Sequence, residues 1–261
     1  MVIRESGERA LVADHVSVVF GGVTALSDVS IRVEPGATVG VIGPNGAGKT
    51  SLLNCLNGFY RASSGSVRFG ESDISRTAPH KVAGLGISRT FQAMELVLEA
   101  TVLQNIMLGR HIHMRRGLFA GMLYFGPARR EEIRHREAVE EVIEFLEIQR
   151  LRDREVSTLS AGQQKLIGLA RALASEPEVL LLDEPSAGMN REERSDIARF
   201  LQRIRYERPT SQVLIEHDVR FVRDICDYIY VLDFGTVIAE GTPDEVLQNE
   251  AVIAAYTGTT A

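Results

Sequence analysis

The sequence predicts an α/β fold in which a buried, mostly parallel sheet is combined with helices. Three observations carry that prediction. Apolar runs at Thr38–Ile42, Val179–Leu182, Gln212–Ile215 and Tyr228–Leu232 lack the alternation of a half-exposed sheet, as strands covered on both faces do. The first run passes through a glycine-rich turn into the helix-forming Ser51-Leu52-Leu53-Asn54. From about Met94 to Thr158 the pattern becomes helical, with Val139, Val142, Ile143 and Leu146 at i, i+3, i+4 and i+7 on one face.

Bulk properties narrow the function classes. At 261 residues the chain can form one large domain or a core with a subdomain, and 44% hydrophobic and 25% charged residues are ordinary globular values. A formal net charge of −6 argues against coating nucleic acid, which needs clustered Lys and Arg. Cys55 and Cys226 suggest two buried thiols rather than a disulfide framework. No signal-peptide core and no membrane-spanning apolar run is visible, so a soluble chain of a reducing compartment is expected.

The first third reads as strands broken at Gly21-Gly22, Glu34-Pro35-Gly36 and Ser63-Ser64-Gly65. Within it, Gly43-Pro44-Asn45-Gly46-Ala47-Gly48-Lys49-Thr50, followed by Ser51, is a complete phosphate-binding loop in its required strand–turn–helix context. Its glycines let backbone N–H groups turn inward, and the following helix adds its positive end. Lys49 would reach the β- and γ-phosphates and the Thr50 hydroxyl would sit on Mg²⁺. Further on, Ser160 is a good N-cap for a helix running through Leu166, Leu169 and Leu173, and Gly162 permits close backbone approach. The run Val179–Leu182 ends in Asp183-Glu184, beyond the carboxyl end of a strand where α/β folds bind ligands. Asp183 is placed to hold Mg²⁺ through water, and Glu184 to accept a proton from a water attacking the γ-phosphate. His217 follows the strand Gln212–Ile215. Strands resume at Val179, Val213 and Tyr228, and short helices close the chain after Pro243 and Glu250.

Gly43–Thr50, Gln92, Leu159–Gln163, Leu182-Asp183-Glu184-Pro185 and His217 resemble, in order and spacing, the motif set of ABC-type ATPases over nearly the whole chain. The resemblance implies a P-loop NTPase (RecA-like) core with an antiparallel β subdomain and an inserted helical subdomain. One ATPase unit over 1–261 is expected: 1–93 holds the β subdomain and the first part of the core, 94–158 the helical subdomain, and 159–261 the rest. ATP and Mg²⁺ are the implied cofactors. Ser160, Ala161, Gly162 and Gln163 would cap the γ-phosphate bound by a partner ATPase, so that two chains, identical or homologous, sandwich two nucleotides. Gln92 would link Mg²⁺ and water to a membrane partner, and His217 would contact the γ-phosphate and orient the water. Phe20 would stack on adenine, with a core Phe as the rival reading. Ala161 stands where this family usually has glycine, and Asn190 where it usually has Asp.

Phe20-Gly21-Gly22-Val23-Thr24-Ala25-Leu26, Ser88-Arg89-Thr90-Phe91-Gln92, Gly117-Leu118-Phe119, Ala187-Gly188-Met189-Asn190, Leu214–Asp218 and Ala255-Tyr256-Thr257-Gly258 are similar to one branch, the ATP-binding subunit of branched-chain amino acid importers. In that branch Asn190 is expected. The branch implies permease subunits, an extracytoplasmic solute-binding protein that this chain does not touch, no nucleic acid, and a cytoplasmic position on the inner face of the membrane. Urea or amide importers and lipid or polysaccharide exporters remain as related readings, and a soluble ATPase acting on ribosomes or DNA as one of another class. Between Arg110 and Arg136 stand seven arginines and two glutamates, either a solvated basic helix pair or a docking surface for a membrane subunit or anionic headgroups.

Overall fold

The strand runs are divided between two sheets. The structure is a computed structural model that describes residues 9–90, 96–113, 127–208 and 210–257. In chain order the elements are β1 (Leu11–Phe20), β2 (Val23–Val33), β3 (Thr38–Ile42), α1 (Lys49–Leu56), β4 (Ser64–Phe69), β5 (Ser72–Asp73), α2 (Pro79–Gly84), β6 (Ile87–Arg89), α3 (Val102–Gly109) and α4 (Pro127–Phe145). There follow α5 (Ala161–Leu173), β7 (Val179–Asp183), α6 (Arg191–Glu207), β8 (Ser211–Ile215), α7 (Val219–Ile225), β9 (Tyr228–Asp233), β10 (Thr236–Gly241), α8 (Pro243–Leu247) and α9 (Glu250–Thr257).

The smaller sheet is antiparallel, in the order β2-β1-β4-β5. The larger has the order β10-β9-β3-β8-β7-β6; β9, β3, β8, β7 and β6 are parallel and β10 is an antiparallel edge. The loops after β3, β8, β7 and β6 therefore leave from one end of four neighbouring strands.

The pleat of the parallel strands divides the core. On β7, Val179 and Leu181 pack with α1 (Leu52, Leu53, Leu56) and with Leu11 and Phe69 of the small sheet. Leu180 and Leu182 point the other way, towards Ile167 of α5 and Phe200 and Leu201 of α6. Burying each such side chain stabilises the fold by about 1.5–3 kcal/mol relative to exposure.

The insert is helical where it is described. Val139, Val142, Ile143 and Leu146 are all buried, as their spacing predicts. The basic stretch divides. Arg110 is buried and donates to the Ala174 carbonyl (2.8 Å) and Glu176 (2.7 Å), so this arginine is a structural tie and not a surface charge. Gly117–Phe125 lies outside the described residues. The amphipathic α6, which buries Ile197, Phe200, Leu201 and Ile204, was not anticipated from the sequence.

Candidate functional site

The phosphate loop joins β3, buried at all five positions, to α1. Gly48 occupies the N-cap position with φ +102, and a Cβ there would come within 2.6 Å of the Ala25 carbonyl, so both backbone angle and space require glycine. No side chain caps α1, and the positive end of the helix is left to an external anion. Lys49 Nζ lies across the loop and donates to the carbonyls of Gly43 and Pro44, each at 2.8 Å. Burial pushes its ammonium towards the neutral form, opposed by the charges of Glu184 and then Asp183. The strand that ends in Asp183 is separated from β3 only by β8 and runs parallel to it. Asn45, Gly46 and Thr50 are exposed, while Ala47 is buried.

Asp183 and Glu184 end β7, next to β8, which delivers His217. Glu184 Oε1 and His217 Nε2 are 2.5 Å apart. Glu184 has φ +47, a left-handed conformation that costs a non-glycine residue about 1–2 kcal/mol. Surrounding bonds hold the turn there. Glu184 N–H donates to the Ile215 carbonyl (2.9 Å), and Lys165 Nζ of α5 donates to the carbonyls of Glu184 (2.7 Å) and Ala187 (2.6 Å). Asp183 accepts from Arg89 at 2.7 Å, and Arg89 also donates to Asn54 of α1 at 2.6 Å.

The segment before α5 forms a reciprocal cap. Ser160 Oγ accepts from Gln163 N–H (3.2 Å), and Gln163 Oε1 accepts from Ser160 N–H (3.1 Å). Ser160 and Ala161 are exposed and can be offered to another molecule. Gly162 is buried against α6, where a Cβ would come within 2.5 Å of Glu193 Cδ. Ser160 Oγ also donates to Glu193 at 3.2 Å. Asn190 likewise has a local explanation: its Oδ1 accepts from the N–H groups of Glu192 (2.9 Å) and Glu193 (3.0 Å), capping α6.

Phe20 is not a core residue. It is 45% exposed and its ring meets Tyr60 edge-on, with centroids 4.9 Å apart. Gln92 lies outside the described residues. Reasoning from sequence assigned no role to Arg89 and Glu216, which stand within quoted motifs, or to Lys165, two residues beyond one. The detectable signal was a charge in an otherwise apolar context, clearest for Glu216 directly after Gln212–Ile215. Both cysteines are free and buried as expected, and burial pushes the Cys55 thiol up to about 11.

A phosphate cradle, a paired acid and histidine at adjacent strand ends, and a capped Ser-Ala-Gly-Gln helix start define a nucleotide hydrolase built on a P-loop core. Comparison with known proteins agrees. The sequence model of the ABC transporter family matches residues 26–187, and that of the branched-chain amino acid ATP-binding cassette transporter matches 236–261. The high-affinity branched-chain amino acid transport ATP-binding protein BraF of Pseudomonas aeruginosa is 38% identical over 242 residues, covering 92% of this chain and 94% of that protein. Escherichia coli LivG, with the same description, is 36% identical at the same coverage. A nucleotide-free ATP-binding cassette from an ABC transporter superposes with TM-score 0.83 and 33% identity, over 95% of this chain and 98% of that one. The ADP conformation of MJ1267, an ATP-binding cassette of an ABC transporter, gives 0.83 at 32%, over 97% and 100%. The chain belongs to the ABC transporter family, as one of its ATP-hydrolysing cassettes. No described helix is long and apolar enough to cross a membrane.

Proposed function

We propose that this chain is the ATPase subunit of a branched-chain amino acid importer, bound to the cytoplasmic face of its permeases. The observation that carries the reading is the convergence of Lys49, Asp183, Glu184 and His217 at the carboxyl ends of β3, β7 and β8. The cargo assignment is supported by the C-terminal match and by the relatives' names.

In this reading the whole chain is one ATPase unit, with 94–158 as its helical subdomain. The triphosphate enters the loop 43–51, where the amides at the start of α1 receive its oxygens and Lys49 exchanges two carbonyls for phosphate. Phe20, exposed, offers a face to adenine. Glu184 takes the proton of the attacking water while His217, already against its carboxylate, orients that water. Thr50, Asp183 and Gln92 suit Mg²⁺, which takes hard oxygen donors together with phosphates and water. Bound there, the ion would neutralise charge on the phosphates. Ser160, Ala161, Gly162 and Gln163 close over the nucleotide of a second cassette, identical or homologous. Because ATP then touches both chains, it binds the closed pair more tightly than the open one.

A cavity of about 280 Å³ lies between β6 and α3, with exposed Phe59, Leu108 and Ile112 at its wall beside Ser88, Arg89 and Ser175. It combines an apolar wall with polar groups, adjoins the strand that precedes Gln92 in the sequence, and is read as the seat of a permease loop. The solute-binding protein acts on the far side of the membrane and does not contact this chain.

The test is an ATP-trapped Glu184→Gln variant purified from native membranes. Recovery of two multi-span permeases, whose reconstituted complex moves leucine, isoleucine or valine, is the expected result. Transport of urea or short amides would move the assignment to that branch, and recovery of ribosomes or nucleic acid would reject it.

A further inference from the structure

Glu216 is 2% exposed, yet it carries a carboxylate whose two oxygens are used by two different segments. Oε1 accepts from the N–H of Ser186, two residues beyond Glu184, at 2.7 Å. Oε2 accepts from the N–H of His217 at 3.1 Å. The backbones that carry Glu184 and His217 are therefore bonded to one side chain, and the tips of those residues meet at 2.5 Å. The turn it holds is the left-handed one at Glu184, which no local sequence feature favours. Lys165 grips the same turn from α5; partial burial pushes its ammonium towards the neutral form, opposed first by the charge of Glu216.

We infer that Glu216 is a positioning residue for hydrolysis, fixing the turn after β7 and the switch histidine as one rigid unit. The inference rests on the proposed role of Glu184 as the base. It does not require Glu216 to touch nucleotide or water. A carboxylate is needed at this position because both oxygens face N–H donors. Glutamine has the same shape but must present an NH₂ group to one of them, leaving a buried donor without an acceptor. It also removes the charge that supports Lys165.

The test compares Glu216→Gln, Glu216→Asp and Glu184→Gln as purified full chains. ATP affinity is read from a fluorescent ATP analogue, turnover from phosphate release, and folding from the thermal midpoint. Glu216→Gln is expected to lower kcat about 10-fold or more while the nucleotide Kd moves less than about twofold, the split a displaced catalytic pair produces. Glu216→Asp, which keeps the charge and both acceptors on a shorter arm, should recover part of kcat. Unchanged kcat in Glu216→Gln, with Glu184→Gln inactive, overturns the inference and leaves Glu184 as base. Loss of nucleotide affinity and folding in parallel with kcat, in both Glu216 variants, also overturns it, since that is the signature of a purely structural carboxylate. Normal turnover in Glu184→Gln would instead remove the base assignment itself.

Discussion

Lys49 reaches its two carbonyl partners within 6 residues of its own position, whereas Glu216 reaches Ser186 across 30. That contrast runs through the two halves of the site. The phosphate cradle is a contiguous segment whose shape follows from glycines and from the helix it starts. The hydrolytic half is assembled from β6, β7, β8 and α5, with Arg89, Lys165, Glu216 and Ile215 bonding across the fold. The cradle is braced from outside, with Gly235 N–H donating to the Ala47 carbonyl at 3.0 Å, but both bonds of Lys49 are internal to it. An assembled turn is correct only when several elements are docked together. Movement of α5 or β6 can therefore alter hydrolysis without dismantling the binding loop.

The largest separation of the two halves should come from Lys49→Ala. Equilibrium ATP affinity is expected to fall on the order of 100-fold, the scale of charge-assisted bonds worth about 3 kcal/mol. The hydrolytic turn, which has no bond to Lys49, should keep its structure. Amide exchange at Ser186 and His217 left unchanged would support the division, and loss of protection there would merge the halves. A smaller effect is expected where α5 meets α6. Ala at Gly162 must displace the Glu193 carboxylate, a movable chain end, so the protein should still fold. That shift removes the Ser160 bond and half of the α6 cap, each of order 1 kcal/mol, and turnover should fall about fivefold. Adding Glu193→Ala should relieve the clash, so the paired variant should cost less than the sum of the two single changes. Simple additivity would show that the two helices are not coupled there.

The same contrast explains what could be read from the sequence. Residues 43–51 were legible because strand, turn and helix are contiguous and glycine leaves a visible mark, although the Ala25 carbonyl beside Gly48 and the Gly235 N–H on the Ala47 carbonyl (3.0 Å) come from distant parts of the chain. The parallel strands were legible because burial on both faces removes polar alternation, and Val139, Val142, Ile143 and Leu146 because helical period survives without knowledge of the partner. Arg89 and Glu216 stood inside quoted motifs, and Lys165 two residues beyond one, yet they received no role, since their partners are set by which elements lie side by side. No composition or period encodes the order β9-β3-β8-β7-β6. Helix α6 was missed for a different reason. Its opening, Arg191-Glu192-Glu193-Arg194, is all charge, and the apolar stripe begins only at Ile197.

Asn190 sharpens the comparison at its small end. It stands where the family usually has Asp, in the segment that follows Glu184. In the structure its side-chain oxygen caps α6 with two amide bonds, and Glu193 returns the bond to Asn190 N–H at 3.1 Å. Asp and Asn both serve as N-caps, and Asp adds a favourable charge at the positive helix end. Asn190→Asp should therefore leave the thermal midpoint unchanged or slightly raised, with ATP hydrolysis intact. Asn190→Ala should cost about 1 kcal/mol and lower the midpoint by about 2–4 °C. If Ala instead abolishes hydrolysis while the midpoint stays in place, residue 190 acts across the cassette interface and its role belongs to the assembled half of the site. If stability and turnover fall together and modestly, the residue is a helix cap.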